Sequence, residues 1–294
     1  MTRSSLEDRF WRVDDFCQRF QPPGERQLLD NGLKQRKRSR ELCLSEIMTV
    51  LIGFHQSSYR NFEAYDCKQV QTCWRSAFPG LTRSNRCIEL IPATLIPLCA
   101  YRRSCFGPCR GISFMDSTSL KVCPNRRLAQ HKVFQDLAAR GKTSVDWFYG
   151  FKLHIVVNDR EELLNFVLTP GHQDDRTPVP KLLQQLLGKV LADKGYVSQK
   201  LSRALLDSSG IQLITRLRRT MKKRLRPLGD RLLLRRRAII ESVCDQWKNI
   251  SQIEHSRHRS SVNCFVNIVC GLIAYAHQPK KPSIALNHNL LPSA

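Results

Sequence analysis

The spacing of apolar positions changes within the first half of the chain. Residues 41–54 carry apolar side chains with a helical rather than an alternating rhythm, which predicts a helix. Residues 85–101 are also apolar, but Pro92 and Pro97 interrupt them, so we expect two short helices or one kinked helix there. We therefore predict a mainly helical N-terminal region over residues 1–105.

Runs of apolar residues that are typical of β-strands follow this region. They occupy residues 111–122, 149–159 and 163–170, and a turn-forming segment of four polar residues joins the last two. Three such runs in succession predict a three-strand meander.

Helix and strand patterns then alternate. A short strand ends at Asp193, a helix is stopped by Gly210, and residues 211–219 form a fifth strand. A long basic helix covers about residues 230–250. This order predicts an α/β fold with a mixed five-stranded sheet flanked by helices.

The charge balance points to an anionic partner. The chain has 48 Lys and Arg residues against 25 Asp and Glu residues, a formal net charge of +23. Nucleic acid is the first candidate, because each neutralised phosphate releases condensed counterions. A merely basic surface is the alternative. An anionic membrane is a weaker candidate, since no basic amphipathic helix stands apart from the rest.

Two further features bear on location and metal content. The polar N-terminus does not resemble a signal peptide and the apolar stretches are too short or too interrupted to span a bilayer, so we expect a cytoplasmic protein without a membrane partner. The twelve cysteines include no CxxC pair. Cys105, Cys109, Cys123 and His131 fit no familiar zinc spacing, and free thiols in a reducing compartment explain them better.

Three isolated acids lie in or directly after predicted elements of this basic chain. Asp116 interrupts an apolar strand, where an unpaired carboxylate would be costly to bury. Asp193 follows a short strand, and Glu241 lies on the basic helix with Arg237 and Lys248 on the same face. The alternatives are an Asp bonded to neighbouring hydroxyls, a turn Asp, and an exposed ladder of ion pairs.

Acids in such positions suit the cleavage of phosphodiesters. Two Mg²⁺ ions about 3.5–4 Å apart neutralise charge on the attacking and leaving oxygens, and they prefer carboxylate ligands. Asp174 and Asp175 compete with Asp193 as the second acid, but they precede a helix, where acids favour the helix dipole. We prefer Asp193 because it ends a strand beside that of Asp116. His172 is interpreted as a polar loop residue.

The residues also carry a family resemblance. The strings MDSTSLKVC, YGFKLHIVVNDR, TPGHQDDRTPVPKL, ADKGYVSQK and RAIIESVCDQWKNISQIEHSRHRS extend, with others, over residues 111–283. They resemble DDE transposases of bacterial insertion sequences, specifically the Insertion Sequence 982 family of the RNase H-like superfamily. By this resemblance Asp116, Asp193 and Glu241 hold two Mg²⁺ ions, which Mn²⁺ can replace, and Asp116 bridges both.

The resemblance implies further partners and contacts. A Tyr-x2-Arg-x3-Glu-x6-Lys signature of related transposases is matched by Arg237, Glu241 and Lys248, whereas Leu234 replaces its Tyr and Pro124 stands where His is expected. The implied partners are the terminal inverted repeats, the target DNA and further copies of the chain, in a bacterial cytoplasm at the nucleoid. The expected DNA-binding residues are Lys194, Arg235, Arg236, Arg237 and Lys248.

Basic residues cluster around the third acid. Residues 215–259 contain fourteen Lys or Arg residues against four acids, which suits a phosphate backbone. Residues 34–40 form a second basic run, either a solvated helix entry or a phosphate contact. Trp247 could stack on an unpaired base, although a core position is the more usual use of such a Trp.

These features predict three parts: a DNA-end recognition region at residues 1–105, a catalytic domain at 106–280 and a tail at 281–294. The predicted function is metal-dependent cleavage of the ends of an insertion sequence, followed by transfer of the 3′-hydroxyl to target DNA. The alternatives are a two-metal nuclease without strand transfer and a decayed DNA-binding relative.

Overall fold

The chain forms two compact units. The computed structural model describes residues 3–30, 42–81, 84–143, 146–216, 221, 227–254 and 258–281. The first unit combines Met1–Cys105 with Trp247–His277, and the second combines Phe106–Gln246 with Gln278–Ala294. In the described part of the chain, no helix has both the length and the apolar character needed to cross a membrane.

The first unit is helical, as the rhythm of its apolar residues predicts. Pro92 lies in a short 3-10 helix between two α-helices, which matches the prediction of two short helices. Helix α2 is buried along most of its length, and α10 begins at the capping residue Ser260, whose hydroxyl accepts a bond from the backbone N–H of Asn263. The helices are α1 (Arg3–Asp30), α2 (Leu44–Phe54), α3 (Phe62–Tyr65), a π-helix (Asp66–Trp74), α4 (Ser84–Leu90), a 3-10 helix (Ile91–Thr94), α5 (Leu95–Ser104) and α10 (Ser261–Ala276).

A mixed sheet of six strands forms the second unit. Its order is β2-β3-β1-β5-β6, and β4 also pairs with β3. Strands β1, β3 and β4 form the predicted antiparallel meander, whereas β5 lies parallel to β1 and to β6. The strands are β1 (Ile112–Cys123), β2 (Ala139–Lys142), β3 (Trp147–Asn158), β4 (Leu163–Pro170), β5 (Lys189–Ala192) and β6 (Gln212–Thr215).

This sheet, with helices around it, is consistent with the RNase H-like fold. The predicted five strands are all present, and β2 is a sixth that the sequence analysis missed. Strand β3 is buried at nearly every position, because β1 and β4 pair with its two edges and other elements cover its faces. Met115, Val156, Val190 and Tyr196 belong to the core that packs beside β1 and β5.

The helices of the second unit follow the predicted order with one correction. Helix α7 ends at Gly210, which adopts a left-handed conformation with φ of 63°, as expected for a helix stop. The single helix expected over residues 230–250 is wrong, because it breaks at Arg237 and Ala238. There the N–H groups of Ala238 and Glu241 bond the carbonyls three residues earlier, which tightens the turn. The helices are α6 (Val179–Leu182), α7 (Gln199–Ser209), α8 (Leu228–Arg236) and α9 (Ile239–Asn249), with 3-10 helices at Asn125–Gln130 and Lys194–Tyr196.

Gly188 fixes the start of β5 against the start of β1. Its φ is +86°, and a Cβ atom there would lie 2.2 Å from the carbonyl oxygen of Gly111. The same Gly111 oxygen accepts a bond from the N–H of Lys189. We therefore expect Gly188→Ala to lower the free energy of unfolding by at least about 1–3 kcal/mol, from backbone strain alone.

Urea unfolding of the purified variants measures this effect. Gly229→Ala is the matched control, since its Cβ would meet nothing within 4 Å and alanine favours a helix. Equal stability of Gly188→Ala and the unchanged protein would show that the approach of the two backbones is not required.

Candidate active site

The three predicted acids come together beside the sheet, where β5 ends next to the middle of β1. Strands β1 and β5 are parallel neighbours, and Phe114 pairs with Leu191. Asp116 and Asp193 each lie two residues beyond that pair, so their positions are level with each other. Asp193 directly follows the end of β5, whereas Asp116 lies within β1. Glu241 reaches the same place from the first turn of α9. Residues far apart in sequence therefore meet because of the strand register.

A single guanidinium lies among the three carboxylates. Nη1 of Arg237 is 3.1 Å from Oδ2 of Asp116, and its Nη2 is 2.9 Å from Oε1 of Glu241 and 3.9 Å from Oδ1 of Asp193. The side chain of Arg237 is 4% exposed, whereas that of Glu241 is 63% exposed. The cluster is therefore positively charged at its buried end, where Arg237 lies, and acidic at its exposed end, where Glu241 lies.

The environment of Asp116 favours its protonated form. Burial of its carboxyl raises its pKa to about 6, and the charge of Asp193 acts in the same direction. The N–H of Ser117, which donates to Oδ1 at 2.8 Å, and the charge of Arg237 oppose this rise. A further cation beside Asp116 would lower its pKa and stabilise the ionised carboxylate, as the charge of Arg237 does.

The chemistry of the donor set fits a hard divalent cation. Three carboxylates lie within 4 Å of one guanidinium, so the four ionised groups carry a formal charge of −2. Carboxylate oxygens are the ligands that Mg²⁺ and Mn²⁺ prefer. Arg237 lies between the acids. Among the described residues, no group of three or more His, Cys, Asp and Glu side chains is close enough together to hold a metal ion as it stands.

The competing acids have partners of their own. Asp174 forms two bonds with the guanidinium of Arg176, at 2.6 and 2.9 Å, and these bonds lower the pKa of Asp174 to about 2. Asp175 is 3.0 Å from the ammonium of Lys152. Asp193 therefore belongs to the ion-paired cluster around Arg237, and Asp174 and Asp175 do not.

The five predicted DNA-binding residues differ in their environments. Lys194 and Arg235 are exposed, whereas Arg237 is buried and faces the acids. Arg236 is half-buried and donates to the carbonyl of Asp159 at 2.6 Å. Lys248 belongs to the first unit, where it pairs with Glu254 at 3.2 Å.

Two tryptophans differ in their exposure. Trp247 is fully buried, and its ring packs edge-on against Tyr275 at 5.2 Å. Its suggested stacking on a base is therefore wrong, and the core alternative is confirmed. Trp147, which the sequence analysis missed, is 44% exposed at the start of β3. No local pattern marks it as exposed, because its position opposite Lys142 of β2 follows from strand pairing.

Several basic segments lie outside the described residues. These are residues 34–40, most of 217–226, and 255–257. Their predicted contacts with phosphates stay predictions.

Comparisons with known proteins bear on the second unit. The family model described as transposase DDE domain matches residues 106–261, slightly more than half of the 294-residue chain. The match covers Asp116, Asp193 and Glu241. A comparison with curated proteins finds no match.

Proposed function

Because the chain belongs to the transposase DDE domain family, we propose that it cleaves the ends of an insertion sequence and joins the freed 3′-hydroxyl to target DNA. The observation that carries the proposal is that Asp116, Asp193 and Glu241 all lie within 4 Å of the guanidinium of Arg237. The sequence strings support the narrower proposal that the element belongs to the Insertion Sequence 982 family.

The three acids would hold the divalent ions, Mg²⁺ or Mn²⁺. When bound, such ions neutralise charge on the attacking and leaving oxygens of the phosphodiester. Asp116 is fixed by the N–H of Ser117 and by Arg237, so its carboxylate is oriented before substrate arrives. Glu241 is the most exposed of the three and can adjust to the substrate. Asp116 has the central role, since it is the most buried acid of the cluster.

The basic surface would bind the DNA. Lys194 directly follows Asp193 and is exposed, so it can contact a phosphate near the cleaved bond. Arg235 is exposed two residues before Arg237. Contacts to phosphates position a protein on DNA without reading its sequence, which suits an enzyme that must also accept target DNA. Joining two ends requires at least a dimer on the DNA, at the bacterial nucleoid.

Incubation with DNA that carries the inverted repeats flanking the coding sequence tests the proposal. We expect nicked and joined products with Mg²⁺ or Mn²⁺ and neither product after chelation with EDTA. Cleavage without joining, also with pre-cleaved ends, would favour a nuclease. Binding without cleavage by the unchanged protein would favour a decayed relative and contradict the proposal.

A further inference from the structure

A polar cleft of about 460 Å³ lies in the second unit, away from any predicted DNA contact except the loop after β5. Its walls come from β2, from the start of β3 and from the segment that follows β4. We propose that this Trp147 cleft binds an unpaired nucleotide of the DNA strand, several nucleotides away from the cleaved bond, an inference that rests on the proposed function. Its lining includes Arg140, Lys142, Trp147, Lys152, Arg176 and Gly195.

The indole of Trp147 is an exposed planar surface in this cleft, carried by a hydrogen-bonded backbone. The N–H of Trp147 donates to Oδ1 of Asp146 at 2.7 Å, and its carbonyl accepts from the amide of Asn125 at 2.8 Å. These bonds hold the backbone on both sides of the side chain. An exposed and anchored aromatic ring is suited to stacking, because every nucleobase has a flat π-face.

Two cations border the ring. The guanidinium carbon of Arg140 is 4.8 Å from the ring centroid, and the ammonium of Lys142 is 5.5 Å from it. Strand pairing explains this, since Lys142 lies directly opposite Trp147 and Arg140 lies on the same face of β2. Cations placed beside an aromatic surface can bind the phosphates of a nucleotide whose base stacks there.

Arg140 and Lys142 are the cations of the cleft that an anionic ligand can pair with. Arg176 is paired with Asp174, and Lys152 with Asp175. Within the part of the chain that the structure describes, Arg140 and Lys142 form no ion pair with an acid. An anionic ligand with a flat ring can pair with both cations and stack on the indole, whereas an apolar peptide would pair with neither cation.

The cleft is linked to the acid cluster through two elements. Gly195, in its wall, lies two residues after Asp193. Lys152 lies three residues before Ile155, which pairs with Asp116 across β3 and β1. Trp147 lies eight residues before Ile155 in β3, about 26 Å at a rise of about 3.3 Å per residue, so a strand that is cut at the acids can reach the stacking surface with a base several nucleotides from the cut.

Binding of labelled DNA in EDTA tests the inference without requiring cleavage. The probes are a blunt duplex and the same duplex with a single-stranded thymidine overhang, and binding is followed by fluorescence anisotropy. We expect Trp147→Ala to weaken binding of the overhang DNA by about 5- to 150-fold, the loss typical of one stacked base. Binding of the blunt duplex should change by less than about twofold, and Trp147→Phe should retain most of the overhang affinity.

Trp11→Ala is the matched control, since Trp11 is 67% exposed on α1 of the first unit. Tryptophan fluorescence also identifies the site. Overhang DNA should quench the emission of the Trp11→Ala variant, which keeps Trp147, and should quench the emission of the Trp147→Ala variant much less. A circular dichroism melt confirms that both variants are folded.

Three results would overturn the inference. These are full overhang affinity in Trp147→Ala, an equal loss for blunt and overhang DNA, or stronger binding of an RNA overhang than of a DNA overhang. Failure of the proposed function gives a different result, namely normal Trp147-dependent binding together with no cleavage when Mg²⁺ is added.

Discussion

Asp116→Asn abolishes DNA cleavage in our account and leaves DNA binding unchanged or slightly tighter. Asp116 is the most buried of the three acids; it pairs with Arg237, and the charge of Asp193 raises its pKa. Loss of its negative charge removes a ligand for the ions that stabilise the reacting oxygens, a contribution of several kcal/mol. Since each 1.36 kcal/mol is tenfold in rate, the cleavage rate should fall by about 10³-fold or more.

Cleavage rates on end-bearing DNA and a parallel gel-shift titration measure the two effects. The asparagine keeps the size of the side chain and can still accept the N–H of Ser117. Asp207→Asn is the matched control, because Asp207 is an exposed acid of the same unit, on α7. Retained cleavage in Asp116→Asn, or equal loss in both variants, would remove Asp116 from the catalytic group.

Arg237→Met destabilises the second unit when no divalent ion is present, and Mg²⁺ or Mn²⁺ restores much of the loss. The guanidinium of Arg237 is buried among three carboxylates, so its removal leaves their charges without a partner. Breaking a buried ion pair by removing one partner costs about 3–5 kcal/mol, and the exposure of Glu241 places the expected loss at or below the lower end. A divalent ion supplies positive charge at the same place.

Thermal melts with EDTA and with increasing Mn²⁺ measure this difference. The melting temperature of Arg237→Met should rise more steeply with Mn²⁺ than that of the unchanged protein, since ion binding and folding are linked. Arg235→Met is the control, because Arg235 is an exposed residue of α8, two positions before Arg237. Parallel Mn²⁺ dependence in all three proteins would show that Arg237 does not occupy the place of an ion.

Much of the second unit follows from its local patterns. The meander of β1, β3 and β4 is encoded by long apolar runs, and Gly210 stops α7 through a backbone conformation that glycine adopts readily. Strand β2 has only four residues and alternates small and charged side chains, so its pairing with β3 depends on the neighbouring strand rather than on its own sequence. The break between α8 and α9 likewise has no local Pro or Gly.

The acid cluster was predictable in its members but not in its arrangement. Asp116 and Asp193 are level because β1 and β5 are parallel, a pairing that no local pattern specifies. The spacing of Arg237 and Glu241 indicates a contact on one helix face, yet only the fold buries Arg237. The exposure of Trp147 and the burial of Trp247 are also tertiary properties, since both residues lie in segments with mixed apolar and charged neighbours.

The central claim is that three acids from distant parts of the chain form one ion site. Titration of Mn²⁺ followed by electron paramagnetic resonance, in which bound Mn²⁺ loses its free-ion signal, tests this claim most directly. Asp116→Asn, Asp193→Asn and Glu241→Gln should each weaken the same tight binding step, while Asp175→Asn should leave it intact. Tight Mn²⁺ binding that survives all three substitutions at the cluster would contradict the account.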